Sequence, residues 1–182
     1  MRRVGGSLAS QAEWMAPDDV VNQVITHYLE AINWLHESTW LPRVKQFTLA
    51  PVYLTGKHLK RHQHLIASYR PSDGPEIAGV LRADHQVEVR RFSPGGETCL
   101  VIDHQRQRRM ATYDARTKTR VHTQDLGDGV IVYRMAYEAR GNRWKIDAFI
   151  QELPLGWETA ELRQHIQELV TTPPVSVDGR CN

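Results

Sequence analysis

Two segments joined by a short turn decide the fold: residues 130–138 (VIVYRMAYE) and Arg143–Leu153 (RWKIDAFIQEL), with Ala139-Arg140-Gly141-Asn142 between them. In the second segment apolar residues recur at every second position from Trp144 to Ile150. This is the spacing that places side chains on one face of a β-strand. Strands joined by so short a turn pair antiparallel. The sequence therefore predicts an antiparallel hairpin here.

Further strand-like segments precede this hairpin in the sequence. Residues 98–104 are apolar on both faces, as in a central strand, whereas residues 86–92, 108–113 and 119–124 alternate between apolar and polar. Residues 114–118 are predicted to form a loop, and Leu126-Gly127-Asp128-Gly129 is typical of a hairpin turn. Because all the connections are short, we predict one antiparallel sheet.

The first part of the chain is helical by its spacing. Pro17 suits a first helical position, and apolar residues then recur at helical intervals over Asp18–Glu37. Shorter helices are predicted near residues 43–49 and near Gly56–Ser68. We therefore predict an α+β domain over residues 17–156, with N-terminal helices packed in a curved antiparallel sheet. A C-terminal helix over 157–170 follows, and residues 1–16 and 171–182 are predicted to be flexible.

Composition narrows the function classes only slightly. The chain has 182 residues and a formal charge of +2, which fits one domain without a strong global attraction to nucleic acid or anionic membranes. Cys99 lies in an apolar run and Cys181 in a polar tail, a poor disulfide pair that favours a reducing, cytoplasmic location. No stretch of about 18 apolar residues predicts a membrane span. We expect no cofactor and no metal.

The order of elements resembles one known superfamily. Helices come first, and a meander of strands ends in Tyr133-Arg134-Met135-Ala136-Tyr137 and Gly141-Asn142-Arg143-Trp144-Lys145-Ile146-Asp147. This arrangement resembles the nuclear-transport-factor-2-like (SnoaL-like) superfamily. The resemblance implies a cone in which the sheet wraps around the first helix and leaves a pocket at its open end. Enzymes of that superfamily commonly place an Asp–His or Tyr–Asp pair in the pocket, but the resemblance carries no catalytic residue over to this chain.

Two adjacent residues are the strongest catalytic candidates. Asp103 and His104 end the most apolar strand, and strand alternation points them to opposite faces, so they cannot form a dyad with each other. Either one, facing an apolar pocket, would have a shifted pKa suited to a general base. Both also fit the wetter end of a strand. The pair Asp84-His85 precedes the first predicted strand, where it could face the mouth of the cone or lie in a loop.

Other residues are candidates for binding. Four ring side chains are candidates for a ligand site. Six cationic side chains between residues 106 and 120 are candidates for binding phosphate or an acidic partner. Strand alternation points Arg109 to the opposite face from Arg106 and Arg108, so the six cannot all act as one patch. His58 and His62 share a helical face, but the surrounding Lys57, Lys60 and Arg61 oppose a metal. The ring candidates are Tyr53, Tyr113, His122 and Tyr133, and the cations are Arg106, Arg108, Arg109, Arg116, Lys118 and Arg120.

Three functions stay open on this sequence. The first is a non-catalytic binding or protein-interaction domain, paired with a protein partner or with a second copy through its sheet face, or holding a small hydrophobic ligand. The second is a cyclase, isomerase or dehydratase that uses a pocket Asp or His as general base. The third is an accessory domain that binds nucleic acid or phosphate through the basic stripe. We favour the first, and nucleic acid is not the expected partner.

Overall fold

A computed structural model describes residues 15–69 and 76–153. Three α-helices and a short 3-10 helix (Ser38–Trp40) come first, and four β-strands follow. The helices are α1 (Asp18–Glu37), α2 (Arg43–Tyr53) and α3 (Gly56–Ser68). The strands are β1 (Ile77–Arg90), β2 (Thr98–Asp114), β3 (Arg120–Glu138) and β4 (Arg143–Leu153).

The four strands form one antiparallel meander in the order β1-β2-β3-β4. The α+β class and the order of helices before sheet are confirmed. The predicted helix over 157–170 and the predicted flexible ends, apart from residues 15 and 16, lie outside the described residues; Ala16 packs against the apolar cluster around α1. Among the helices that the structure does describe, none is both long and apolar enough to cross a membrane.

Helix α1 is the element around which the sheet is organised. Its acidic first turn, Asp18 and Asp19, complements the helix dipole, and its side chains at Val24, Tyr28 and Ile32 are buried at four-residue intervals. The helix contacts both β1 and β4, the two edge strands of the sheet. A sheet whose two edges touch the same helix must curve towards it. A closed cone remains a prediction.

Two apolar clusters lie on opposite faces of this sheet. The inner cluster joins α1 to the strands and includes Tyr28, Ile32, Val101 and Ile146. The outer cluster is formed by alternate residues on the other face, which are Leu100, Ile102, Val130, Val132 and Leu153. The large side chains of β3 are therefore divided between two buried clusters. Val130 and Val132 are buried in the outer cluster, and association through the sheet face remains a prediction.

The predicted hairpin at residues 126–129 is wrong, because β3 runs straight through it. Gly127 and Gly129 pair with Arg108 and Gln105 of β2, with register shifts on both sides. Gly127 has a positive φ of 64°, and its N–H donates to the Asp125 carboxylate over 2.8 Å. Glycine, aspartate and local hydrogen bonding suit a β-bulge as well as a turn. The segments 98–104 and 108–113, and likewise 119–124 and 130–138, are thus single long strands.

The junction between α2 and α3 is attached to the free edge of β4. The Thr55 N–H donates to the Ile146 carbonyl over 2.9 Å, and Leu54 forms an isolated parallel bridge with Ile146. Gly56, with a φ of 52°, follows at once and starts α3. A side chain at Gly56 would meet the Asp147 carboxylate. Glycine is therefore required there for two independent reasons.

Candidate functional site

A fully buried carboxylate lies at the centre of the inner face. Asp103 has no solvent exposure, and its Oδ2 accepts a hydrogen bond from the Tyr28 hydroxyl over 2.7 Å. The Gln105 amide donates to the same oxygen over 2.8 Å, and His85 Nδ1 lies 2.8 Å from it. Asp103 Oδ1 has no hydrogen-bond partner among the described residues. Three donors on one oxygen offset the cost of burying the carboxylate.

The register of β1 on β2 brings His85 to this carboxylate. His85 pairs with Gln105 and Val87 pairs with Asp103, so His85 and Asp103 are diagonal neighbours on one face. The predicted start of the first strand at residue 86 is wrong, because β1 starts at Ile77, and this excludes the loop as the position of His85. The predicted separation of Asp103 from His104 is confirmed. His104 lies on the outer face, with Nε2 3.5 Å from a Glu88 carboxylate oxygen.

The neighbouring rings are held in their neutral forms. Burial, followed by the Asp103 charge, raises the pKa of Tyr28 well above its ordinary value and raises the pKa of Tyr133 to about 12. Burial, followed by the charge of His85, lowers the pKa of His36 to about 4, and the His36 and His85 rings stack with centroids 5.8 Å apart. Tyr28 is therefore a hydrogen-bond donor to Asp103 at neutral pH.

A polar cavity of about 530 Å³ begins at His85. Its wall combines the last turn of α1 with β1, β2 and β3 on the inner face of the sheet. His36 and His85 lie at the end nearest Asp103, and Tyr113 and Arg120 lie further along the strands. His85 is therefore the residue that connects the buried carboxylate to the cavity.

The predicted ligand rings separate into different places. Tyr113 lines the cavity and packs against Trp40, with ring centroids 4.9 Å apart. Tyr133 lies deeper on the inner face, against Tyr28. Tyr53 stacks on Trp34 outside this cavity, and His122 is exposed on β3. Of the four, only Tyr113 lines this cavity.

The predicted basic stripe does not form one surface. Arg109 and Arg120 line the cavity. Arg108 is tied into the sheet, where it pairs with Glu152 over 2.9 Å and donates to carbonyls at the β3 bulge. Lys118 places its ammonium 4.7 Å from the Trp40 ring centre. Arg106 is exposed on β2, and Arg116 is exposed in the turn between β2 and β3.

Histidines and cysteine elsewhere fit structural roles. Burial, with His62 and Arg61 as further causes, lowers the pKa of His58 to about 4, so this ring is neutral at physiological pH. Cys99 is buried in the inner cluster, and burial raises the pKa of its thiol to about 12. Over residues 15–69 and 76–153, no group of three or more His, Cys, Asp or Glu side chains could hold a metal ion.

Comparison with known proteins gives little beyond the geometry. No protein-family model matches the chain. No curated protein matches it either. Among solved structures, the intermembrane space region of the chloroplast protein ARC6 is similar, with 14% sequence identity and a TM-score of 0.48. That similarity covers 74% of this chain and 95% of the other.

Proposed function

We propose that this domain binds a polar ligand in the inner-face cavity and does not transform it. The cavity carries the proposal: its volume of about 530 Å³ is in the range of small-molecule sites, and one helix and three strands supply its wall. Charged and hydrogen-bonding groups such as Arg109, Tyr113 and Thr123 line it. These groups suit a polar ligand better than a hydrophobic one.

A second candidate is an enzyme in which His85 acts as general base. The specific observation is the 2.8 Å separation of His85 Nδ1 from the Asp103 carboxylate. A carboxylate at Nδ1 orients the imidazole and leaves Nε2 to accept a proton. His85 would then be the base, in place of Asp103 or His104, and Asp103 would position it. We rank this second because Tyr28 and Gln105 share the same oxygen, as in a structural network.

Filling the cavity tests the first candidate. Ala111 lines the cavity, and Ala111→Trp should place a ring inside it. Its neighbour Thr112 pairs with the exposed His122 on the other face, so Thr112→Trp is the matched control. Ligand-observed NMR with a fragment library should find polar fragments that bind the unchanged protein and the control but not Ala111→Trp. Fragments that bind all three proteins equally would reject the cavity as the binding site.

The same fragments separate binding from catalysis. Each fragment that binds is incubated with the protein, and its NMR spectrum is followed for new signals. We expect none. New signals that disappear with His85→Gln, in a variant that still binds the fragment, would instead establish the enzyme.

A further inference from the structure

Two arginines of the cavity wall stand directly opposite each other. Arg82 of β1 pairs in register with Arg109 of β2, and both side chains line the cavity. Directly opposed like charges destabilise an antiparallel pair. A third arginine, Arg120, lines the same cavity from β3. The wall therefore holds three exposed arginines around one open cavity.

The carboxylates nearby compensate these charges poorly. Glu37 is 3.9 Å from Arg82, and both side chains are more than half exposed, so this ion pair is weak. Asp84 is the other carboxylate of the wall. Asp125 stands opposite Arg109 in register, but among the described residues these two side chains form no ion pair, and Asp125 Oδ1 accepts the Gly127 N–H.

The side chains of Arg109 and Arg120 make no hydrogen bond or ion pair within the part of the chain that the structure describes. Two other arginines of the sheet are paired, Arg108 with Glu152 and Arg134 with Asp147. An arginine keeps its charge at any physiological pH, and its fork of donors matches carboxylate and phosphate oxygens. The two unpaired groups are therefore available to an anion.

The spacing of the arginines divides the cavity into two cationic ends. Arg120 pairs in register with Tyr113, four positions along β2 from Arg109. At about 3.3 Å per strand residue, the backbone positions are about 13 Å apart. Both side chains are long enough to reach inwards. One anionic group at each end would let each arginine bind near its own strand position, whereas a single anion would require both side chains to extend towards the middle.

We propose that the cavity binds a small molecule carrying two anionic groups, carboxylate or phosphate. Arg82 and Arg109 hold one group, and Arg120 holds the other. Neutral donors at Asn33, Tyr113 and Thr123 line the same cavity and suit hydroxyls or carbonyls of the ligand. This inference rests on the proposed function and adds the chemical class of the ligand.

Titration with defined anions tests the proposal. The probes are pimelate as a linear dicarboxylate and fructose 1,6-bisphosphate as a bisphosphate, with pimelamide as the neutral analogue of pimelate. Backbone amide shifts of the labelled full chain should move around the cavity for at least one of these two anions and not for pimelamide. A response to one probe and not to the other assigns carboxylate or phosphate as the group that the arginines hold. Binding should weaken as salt is added.

Variants connect the binding to the arginines. Arg109→Gln and Arg120→Gln should each lower the affinity for the anion about tenfold or more, because a charge-assisted hydrogen bond is lost. Arg106→Gln, on an exposed part of the same strand, is the control and should leave affinity unchanged. Equal weakening by Arg106→Gln, or equal binding of pimelamide, would overturn the proposal. If hexaglutamate binds and neither pimelate nor fructose 1,6-bisphosphate does, the proposal is also overturned, in favour of an acidic polypeptide as the ligand.

The two proposals fail separately. If fragments bind the unchanged protein but not Ala111→Trp, and anionic fragments bind no better than neutral ones, the proposed binding function stands and the proposal of an anionic ligand is rejected. If fragments and anions all bind Ala111→Trp as well as they bind the unchanged protein, both proposals are rejected.

Discussion

The hydrogen bond between Tyr28 and Asp103 offers the most direct test of the buried network. Tyr28→Phe deletes one hydroxyl and keeps the ring, which is fully buried in the inner cluster. The hydroxyl donates to Asp103 Oδ2 over 2.7 Å in the interior. Deleting it leaves Gln105 and His85 as the remaining partners of that oxygen.

The expected loss follows from the charge and burial of the acceptor. A hydrogen bond to a charged group contributes about 1.5–3 kcal/mol, against about 1 kcal/mol for a neutral pair. We expect Tyr28→Phe to lower the free energy of unfolding by about 1.5–3 kcal/mol. For a chain of this size that lowers Tm by about 3–12 °C.

Urea unfolding measures this loss, with Tyr53→Phe as the matched control. Tyr53 stacks on Trp34 at 5.1 Å, and its hydroxyl has no hydrogen-bond partner in the described ranges. Its removal should change stability by less than about 0.5 kcal/mol. Equal losses for the two variants, at an unchanged m-value, would refute the view that the Tyr28 hydroxyl stabilises a buried carboxylate. A double-mutant cycle with Asp103→Asn should give a coupling energy of about 0.5–3 kcal/mol.

Three further predictions concern packing, pH and backbone geometry. Ile32→Ala should cost roughly 2–5 kcal/mol in a thermal melt, because Ile32 is buried between α1 and the sheet, and no loss would contradict that packing. The pKa of His36 is lowered from 6.5 to about 4, so the unfolded state binds more protons between these values and stability falls as the pH drops through that range. His36→Gln should flatten this part of the urea-midpoint profile, and an unchanged profile would assign the dependence to other groups. In urea unfolding, Gly56→Ala should lower the free energy of unfolding more than Gly127→Ala does. Both glycines have a positive φ, but only a side chain at Gly56 would meet the Asp147 carboxylate. Equal losses for the two variants would mean that the positive φ alone causes the destabilisation.

The helices and the last hairpin were predictable because their patterns are long and regular. Helices α1 and α3 match their predicted bounds, Asp18–Glu37 and Gly56–Ser68, and β4 matches Arg143–Leu153. Helix α2 continues past the predicted residue 49 to Tyr53, with Pro51 inside it. The breaks within the sheet were not predictable by the same reasoning. Glycine next to aspartate suits a turn or a bulge, and only pairing with β2 decides between them.

The position of the candidate site depends on which face of β2 packs against the helices, and the sequence alone does not determine this. Alternation alone separates Asp103 from His104, and this was predictable. Which of the two faces the helices depends on the packing of α1, because both faces of β2 bury apolar side chains. The partner of Asp103 was unpredictable for a second reason. His85 is 18 positions away, and the two meet only when β1 and β2 pair in one particular register.

An irregularity in that register makes the cavity and the buried network parts of one surface. Arg82 and His85 are three positions apart on β1, which regular alternation would place on opposite faces. Their partners on β2, Arg109 and Gln105, are four positions apart, because the register shifts between Arg82 and Asp84. Gln107, in the bulged part of β2, has a positive φ of 51° and donates its N–H to Asp128. The bulge therefore brings the arginine pair onto the face that carries His85, and a strictly regular pairing would separate the cationic end of the cavity from the Asp103 network.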